Sequence, residues 1–337
     1  RRSQAFRLPS NTWSLQSFPP TCIESLLTVC EEEFWVLHDS LGMSEMHCRT
    51  KNRCKFTSEE GLIAILLRLA SRGTWLEHAA LLGVSPTRLC HVFQTTMDFL
   101  RDKWLTHAFE SNGTKCIPPN RAATFADAIV KKSGAGLDCV VGFIDSTKLQ
   151  ICRSENYTEQ LTTYSGYHKC HCVRYQGVQS PDGIMYHLYG PVEGRRGDGY
   201  LLATSRLLKA LEHLESKTRT NWVVYGDAAY AMNRYVQCGY RKGLGERVPG
   251  STADTYTKLM NSVRTSVEWA FGYIKQKFPF LNVVDYMKIG NSRVHDFYTC
   301  ATFLANCITC LRGNATSSFF DTPPPSLQEY LHYCKFE

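Results

Sequence analysis

A chain of 337 residues, 43% of them hydrophobic, can bury one large core or two ordinary ones, which excludes a disordered tail or a small scaffold held only by disulfides. Its net charge of +7, from 38 basic against 31 acidic residues, favours a polyanionic partner only mildly, and no basic tail carries it. Fifteen cysteines, odd in number and spread along the chain, predict reduced thiols, most of them in the core, rather than a secreted framework.

The opening "RRSQAFRLPS" has no apolar core of a signal peptide. "ESLLTVCEEEFWVLHDSLG" (Glu24 to Gly42) carries apolar residues at helical spacing and stops at a glycine. "TSEEGLIAILLRLASRG" follows, with Thr57 and Glu60 three apart as a capping box. Its apolar window, Gly61 to Ala70, is too short to cross a bilayer and contains Arg68, so an intracellular protein without a membrane span is expected. In "TWLEHAALLGVSPTRLCHVFQTTMDFL" a short helix stops at Gly83, and a second starts with Ser85 as N-cap and Pro86 at its first position. That is the plan of a helix-turn-helix over about 57–105, and equally of an ordinary helical hairpin; Arg88, His91 and Gln94 are its candidate DNA-facing side chains.

Past residue 136 the character becomes β. "LDCVVGFID", "KLQICRS", "KCHCVRYQGVQ" and "IMYHLYGP" read as successive strands, the last two joined by the turn "SPDG". Helical spacing returns in "YLLATSRLLKALEHLES", and "NWVVYGD" repeats the design of a buried strand ending on an Asp. "TYTKLMNSVRTSVEWAFGYIKQKF" then runs as one long amphipathic helix with Leu259, Val263, Val267, Ala270, Phe271 and Ile274 on its stripe and Glu268 beside it. The class is α/β, a mixed sheet covered by helices.

Two strands that each deliver a carboxylate, Asp145 and Asp227, and a helical Glu268 form a constellation. Carboxylates brought together repel, and divalent cations relieve that repulsion. Hard oxygen ligands without a His/Cys set select Mg²⁺ or Mn²⁺. Two such ions about 3.5–4 Å apart serve in-line displacement at a phosphodiester, leaving a 3′-hydroxyl and a 5′-phosphate. Singly, each Asp reads as a cap or Asx-turn residue and Glu268 as the partner of Arg264 one turn earlier. Asp198, in "GRRGDGY", is a fourth candidate where a helix N-cap is also expected. Lys169, Arg174, Arg195 and Arg196 are candidate phosphate contacts, and Tyr164 and Tyr167 candidate stacking surfaces. His168, Cys170, His171 and Cys172 suggest zinc by composition, but in a strand Cys170 and Cys172 share one face and His171 takes the other. Cys307 and Cys310 read as buried thiols, and "FIDST" lacks the second acid an aspartyl-phosphate enzyme needs, because position 147 is Thr.

"GFIDSTKLQICRS", "YSGYHKCHCVRYQGVQSPDGIMYHLYGPVEGRRGDGYLL", "VVYGDAAY" and "MNSVRTSVEWAFGYIKQKF" resemble, in order, blocks of the DDE-superfamily endonucleases of PIF/Harbinger transposons. The resemblance runs over roughly 57–333, from the "TSEEGLIAILLRLASRGTW" block to "PPPSLQEYL". It implies an RNase H-like catalytic domain over 136–317, preceded by an N-terminal helical region over 1–135 and followed by a tail over 318–337. It implies a DDE triad, here Asp145, Asp227 and Glu268, working with divalent metal on DNA in cleavage and strand transfer. A Myb-like accessory DNA-binding protein, a homo-oligomer and a place in the nucleus, or in nucleus and cytoplasm, belong to the same expectation. Ser146 stands where the family has Gly, and Gly197 where it has His, so a domesticated protein that binds DNA or protein without cutting is the alternative.

Overall fold

In a computed structural model the described residues are 12–109, 115–135, 137–240 and 248–336. They fall into two compact units, one closing at Asp102 and taking in Phe278–Phe280, the other comprising Lys103–Lys277 and the chain from Leu281 onward.

The first unit is helical: α1 (Pro20–Leu27), α2 (Glu31–Ser40), α3 (Ser58–Ala70), α4 (Trp75–Leu82) and α5 (Pro86–Leu100). The helical pattern read over Glu24 to Gly42 is broken, because Thr28 turns left-handed (φ 66°) and the chain restarts at Glu31. Three glutamates, Glu31 to Glu33, fill the first turn of α2, where the helix dipole favours negative charge, and Glu33 accepts from Cys30 N at 3.0 Å. Thr57 and Glu60 form the expected capping box on α3. Helices α4 and α5 are joined at Gly83, whose φ of 66° suits glycine, and Ser85 Oγ accepts from Arg88 N at 3.2 Å with Pro86 at the first position.

Glu60 does more than cap. Fully buried, it accepts from Thr57 N (2.7 Å), Trp13 N (3.2 Å) and Arg88 Nη2 (3.0 Å), so one carboxylate ties the start of α3 to α5 and to the segment before α1. Arg68, also buried, stacks between the rings of Trp75 (4.4 Å) and Phe280 (4.2 Å).

The second unit contains α6 (Thr106–Phe109), α7 (Ala122–Ser133), β1 (Val140–Gln150), α8 (Tyr157–Thr163), β2 (Tyr164–Ser165), β3 (Cys170–Gln179), β4 (Met185–Glu193), α9 (Asp198–Thr204), α10 (Leu207–Thr218), β5 (Val223–Gly226), β6 (Val236–Cys238), α11 (Thr252–Lys277), α12 (Val294–Arg312), α13 (Ala315–Phe319) and α14 (Leu327–Phe336). Six strands make a mixed sheet in the order β2-β3-β1-β5-β6, with β4 also on β3. The β1–β3 and β3–β4 pairs are antiparallel, and the β1–β5 and β5–β6 pairs parallel. Helices α7 and α11 both pack on β1, and Val140 to Ile144 are buried on both faces of the strand.

One expectation fails here. "LDCVVGFID" and "KLQICRS" are not two strands but the single β1, which runs through Asp145. No Gly or Pro separates them, and Ser146 and Thr147 extend readily, so β3 pairs with β1 without a break from Phe143↔Gln179 to Gln150↔Cys172. Lys275 of α11 fixes the second half, donating to Thr147 Oγ1 (3.2 Å) and Lys148 O (2.8 Å). The stripe of α11 follows the sequence reading except at its start, where Met260 is buried in place of Leu259. The fifteen cysteines are free; six are buried and the others, including Cys90 and Cys139, half-buried, so fewer lie in the core than expected. Among the described residues no helix is long and apolar enough to cross a membrane.

Removing Glu60 leaves buried donors without an acceptor. Glu60→Ala is expected to cost about 3–5 kcal/mol in urea unfolding, and Glu60→Gln, which keeps an acceptor for the backbone N–H groups, clearly less.

Candidate active site

The parallel register of β1 and β5 sets Gly142 beside Val224 and Phe143 beside Tyr225. Two residues further along the same register, Asp145 comes level with Asp227, the residue after β5. Gly226 allows the approach: a Cβ there would lie 2.9 Å from Ile144 Cγ2 and from the Tyr230 ring. Both carboxylates line one cleft of about 730 Å³, together with Asp198, Arg174 and the 165–168 and 194–197 segments.

Asp145 Oδ1 accepts from Ser146 N at 2.7 Å, and Oδ2 lies 3.5 Å from Arg264 Nη1. The other guanidinium nitrogen of Arg264 donates to Glu268 Oε1 at 2.9 Å, so one cation on α11 bridges two of the three proposed triad carboxylates. Burial pushes the Asp145 carboxyl up to about 6; the charges of Asp227 and Glu268 act in the same direction, while the Ser146 N–H and Arg264 pull it back. Those couplings show the three acids sharing one electrostatic neighbourhood. Asp227 also makes the Asx turn, its Oδ1 accepting from Ala229 N at 2.8 Å. Glu268 is 53% exposed and reaches the site from the surface of α11.

Asp198 is the first residue of α9 rather than its cap, which is Gly197. Its Oδ1 takes the Arg174 Nη2 (2.7 Å) and the Ser146 hydroxyl, and Ser146 Oγ also accepts from Arg174. Arg174 completes its fork on Arg196 O at 2.6 Å. Ser146, the side chain at which the chain departs from its resemblance, is therefore built into the wall of the cleft.

Two residues escaped the sequence reading. Arg264 was visible only as the partner of Glu268 one turn away; its reach to Asp145 depends on how α11 lies on β1. Tyr230 is fully buried, with no hydrogen-bond partner for its hydroxyl, and burial first, then the charges of Asp198, Asp145 and Asp227, hold its proton far above the ordinary range. Nothing in the spacing of "YGDAAY" marks it.

The proposed DNA-contacting side chains divide between the units. In the second, Arg174, Arg195 and Arg196 line the cleft with Lys148, and Lys169 is exposed on the turn that carries Tyr167 and His168. In the first, Arg88 pairs with buried Glu60 and lies over the Trp13 ring at 4.7 Å, while His91 stands 3.3 Å from Asn52. His171 Nδ1 meets Thr163 Oγ1 at 3.1 Å, Cys172 is buried, and Cys307 and Cys310 lie on α12.

The donor set, hard carboxylate oxygens, suits Mg²⁺ or Mn²⁺, but the arrangement does not. Among the described residues no three His, Cys, Asp or Glu side chains stand together closely enough to hold an ion, and Arg264 is the cation between Asp145 and Glu268.

Residues 144–306 match the model of the DDE superfamily endonucleases. The matched segment runs from Ile144, the residue before Asp145, into α12 and takes in Asp227, Arg264 and Glu268. It supports that superfamily and, with it, an enzyme of the nuclease type. No curated protein and no solved structure matches the chain.

Asp145 has a folded-state pKa above its unfolded value, so the folded protein binds its proton more readily. Stability on this account is greatest below pH 4, falls as pH rises from about 4 to 6, and stays reduced above 6. In chelator at pH 7.5, Asp145→Asn is expected to unfold about 1–3 kcal/mol later than wild type, a gain that shrinks to nothing at pH 4. Thermal unfolding at the two pH values measures it.

Proposed function

We propose that the chain is a DDE-type endonuclease or transposase that cleaves DNA phosphodiester bonds, with Asp145, Asp227 and Glu268 as its catalytic residues. The observation that carries this reading is the register of β1 and β5, which brings two carboxylates level in a cleft that Asp198, Lys148, Arg174, Arg195 and Arg196 also line. Arg174, Arg195, Arg196 and Lys148 would hold the phosphates on either side of the scissile bond. Asp145, whose carboxyl burial raises to about 6, would be largely deprotonated near neutral pH and so available as an ion ligand or, with no ion bound, as a proton acceptor. Attack of water forms a new P–O bond and breaks the P–O3′ bond; the departing 3′-oxygen takes a proton from solvent, which gives a 3′-hydroxyl and a 5′-phosphate, and in strand transfer that hydroxyl is the next nucleophile.

The superfamily points to a divalent cation. Mg²⁺ or Mn²⁺, as two ions on Asp145, Asp227 and Glu268 with Asp198 a further candidate, is our proposal for an arrangement in which Arg264 has let go of Glu268. An RNase H-like class for the second unit, a DNA-reading role for α4 and α5 through Arg88 and His91, the PIF/Harbinger subtype, a Myb-like partner, a homo-oligomer and a nuclear or nuclear and cytoplasmic location complete the reading. Arg88 could serve it only by giving up its pair with Glu60.

A second reading has its own support. The bridge from Arg264 to Asp145 and Glu268, with Ser146 tied to Arg174 and Asp198, describes carboxylates neutralised from within, as expected of a domesticated protein that binds DNA or protein without cutting.

Nicking of supercoiled plasmid in Mg²⁺ or Mn²⁺ separates the two. The enzyme reading expects metal-dependent nicking that Asp145→Asn and Glu268→Gln each reduce on the order of 10²–10⁴-fold. Binding without nicking supports the second reading, and nicking that survives both substitutions removes the triad.

A further inference from the structure

Tyr167 is 91% exposed, the most exposed large hydrophobic side chain among those described, and it lines the same cleft as Asp145, Asp198 and Asp227. It caps a short turn from Gly166 to Lys169, and Lys169 holds a left-handed conformation (φ 53°) there. Among the described residues its one aromatic contact is with its neighbour His168, edge-on at 4.8 Å, so folding gains little from it. Tyr157, Leu161 and Tyr164, on α8 and β2 just before this turn, are exposed as well. Around them stand cations: Lys169 on the turn, and Lys148, Arg195 and Arg196 lining the cleft; Arg196 lies over the Tyr200 ring at 4.4 Å, and the two arginines share the one carboxylate of Glu193 (3.2 and 2.8 Å), which leaves the pair a net positive charge. No acidic residue lies between Gln160 and Tyr189 except Asp182, which is buried.

From this we propose that the cleft takes an unpaired DNA strand and that one of its bases stacks on Tyr167. The inference rests on the reading of the cleft as a DNA site and specifies which form of DNA it takes. A paired duplex offers the protein phosphates and groove edges, and cations alone answer those. A free aromatic face gains from DNA only when a base has left its stack, and such contacts are worth about 1–3 kcal/mol per base, roughly 5- to 150-fold in affinity. A cleft lined by Lys148, Arg195 and Arg196 with a tyrosine standing clear at its edge has the two components of a single-strand site: cations for the backbone and a stacking platform beside them.

The test is fluorescence anisotropy of the whole chain in EDTA, where nothing is cut, with a labelled single-stranded oligonucleotide and its blunt duplex. The expected result is tighter binding of the single strand, weakened at least fivefold by Tyr167→Ala, retained by Tyr167→Phe, with duplex binding unchanged by either. Tyr167→Trp should in addition show quenching of its fluorescence when the single strand binds. Equal affinity for the two DNA forms, or an unchanged single-strand affinity in Tyr167→Ala, overturns the inference. Plasmid nicking reports separately on the enzyme: a protein that nicks but ignores Tyr167 loses this inference alone, and one that prefers the single strand without nicking keeps it and loses the nuclease.

Discussion

A single guanidinium touching two carboxylates is the contact on which the arrangement of the acidic cleft depends. The β1–β5 register sets Asp145 and Asp227 level, and the low polarity around β1 strengthens whatever charge interaction follows. Left alone, that pair would push the strands apart or hold a proton; burial already raises the Asp145 carboxyl, and the charge of Asp227 adds to it. Arg264 offsets it from α11, and it can do so because the buried stripe from Met260 to Ile274 fixes the rotation of α11 against β1. A second cation, Arg174, plays the same part for Asp198, with Ser146 between them. Charge balance in the cleft is thus supplied by two arginines from two different elements.

The legibility of this site in the sequence was uneven for physical reasons. Capping boxes, the Ser85-Pro86 start, the α11 stripe and the two strands carrying Asp145 and Asp227 are local patterns, and each is found where its residues place it. What local pattern could not show was continuation: a strand's end was read at Asp145 because a charge stood there, whereas tertiary pairing with β3 carries β1 on to Gln150. The break at Thr28 was equally invisible, since the apolar spacing on its two sides stays in step. Asp198, read as a fourth candidate ligand or a helix cap, faces Arg174, and Tyr230 had no signal at all, because its position near the acids follows from the turn after β5 and not from its spacing.

Continuation matters for what the site can do. Asp145 sits inside a strand paired on both sides, so its backbone is held by the sheet and its Oδ1 by Ser146 N. Asp227 lies one residue past a strand end and is held by an Asx turn. Among the described residues Glu268 is held by its side-chain pair with Arg264 alone, and it is half in solvent. The three proposed catalytic acids therefore descend in rigidity, and they do so in the order in which the chain supplies them.

That gradient locates the change a cation would require. The proposed gathering of the three carboxylates would leave β1 and β5, fixed by pairing, in place and draw on Arg264 and Glu268 of α11. The move breaks two pairs of a largely buried guanidinium, with Asp145 at 3.5 Å and with Glu268 at 2.9 Å, so it costs more than the loss of an exposed pair and is offset only by the charge that replaces Arg264. The closed and gathered arrangements then differ chiefly in which positive charge answers Asp145, a guanidinium from α11 or an ion from solution, and the sheet that sets Asp145 beside Asp227 is common to both.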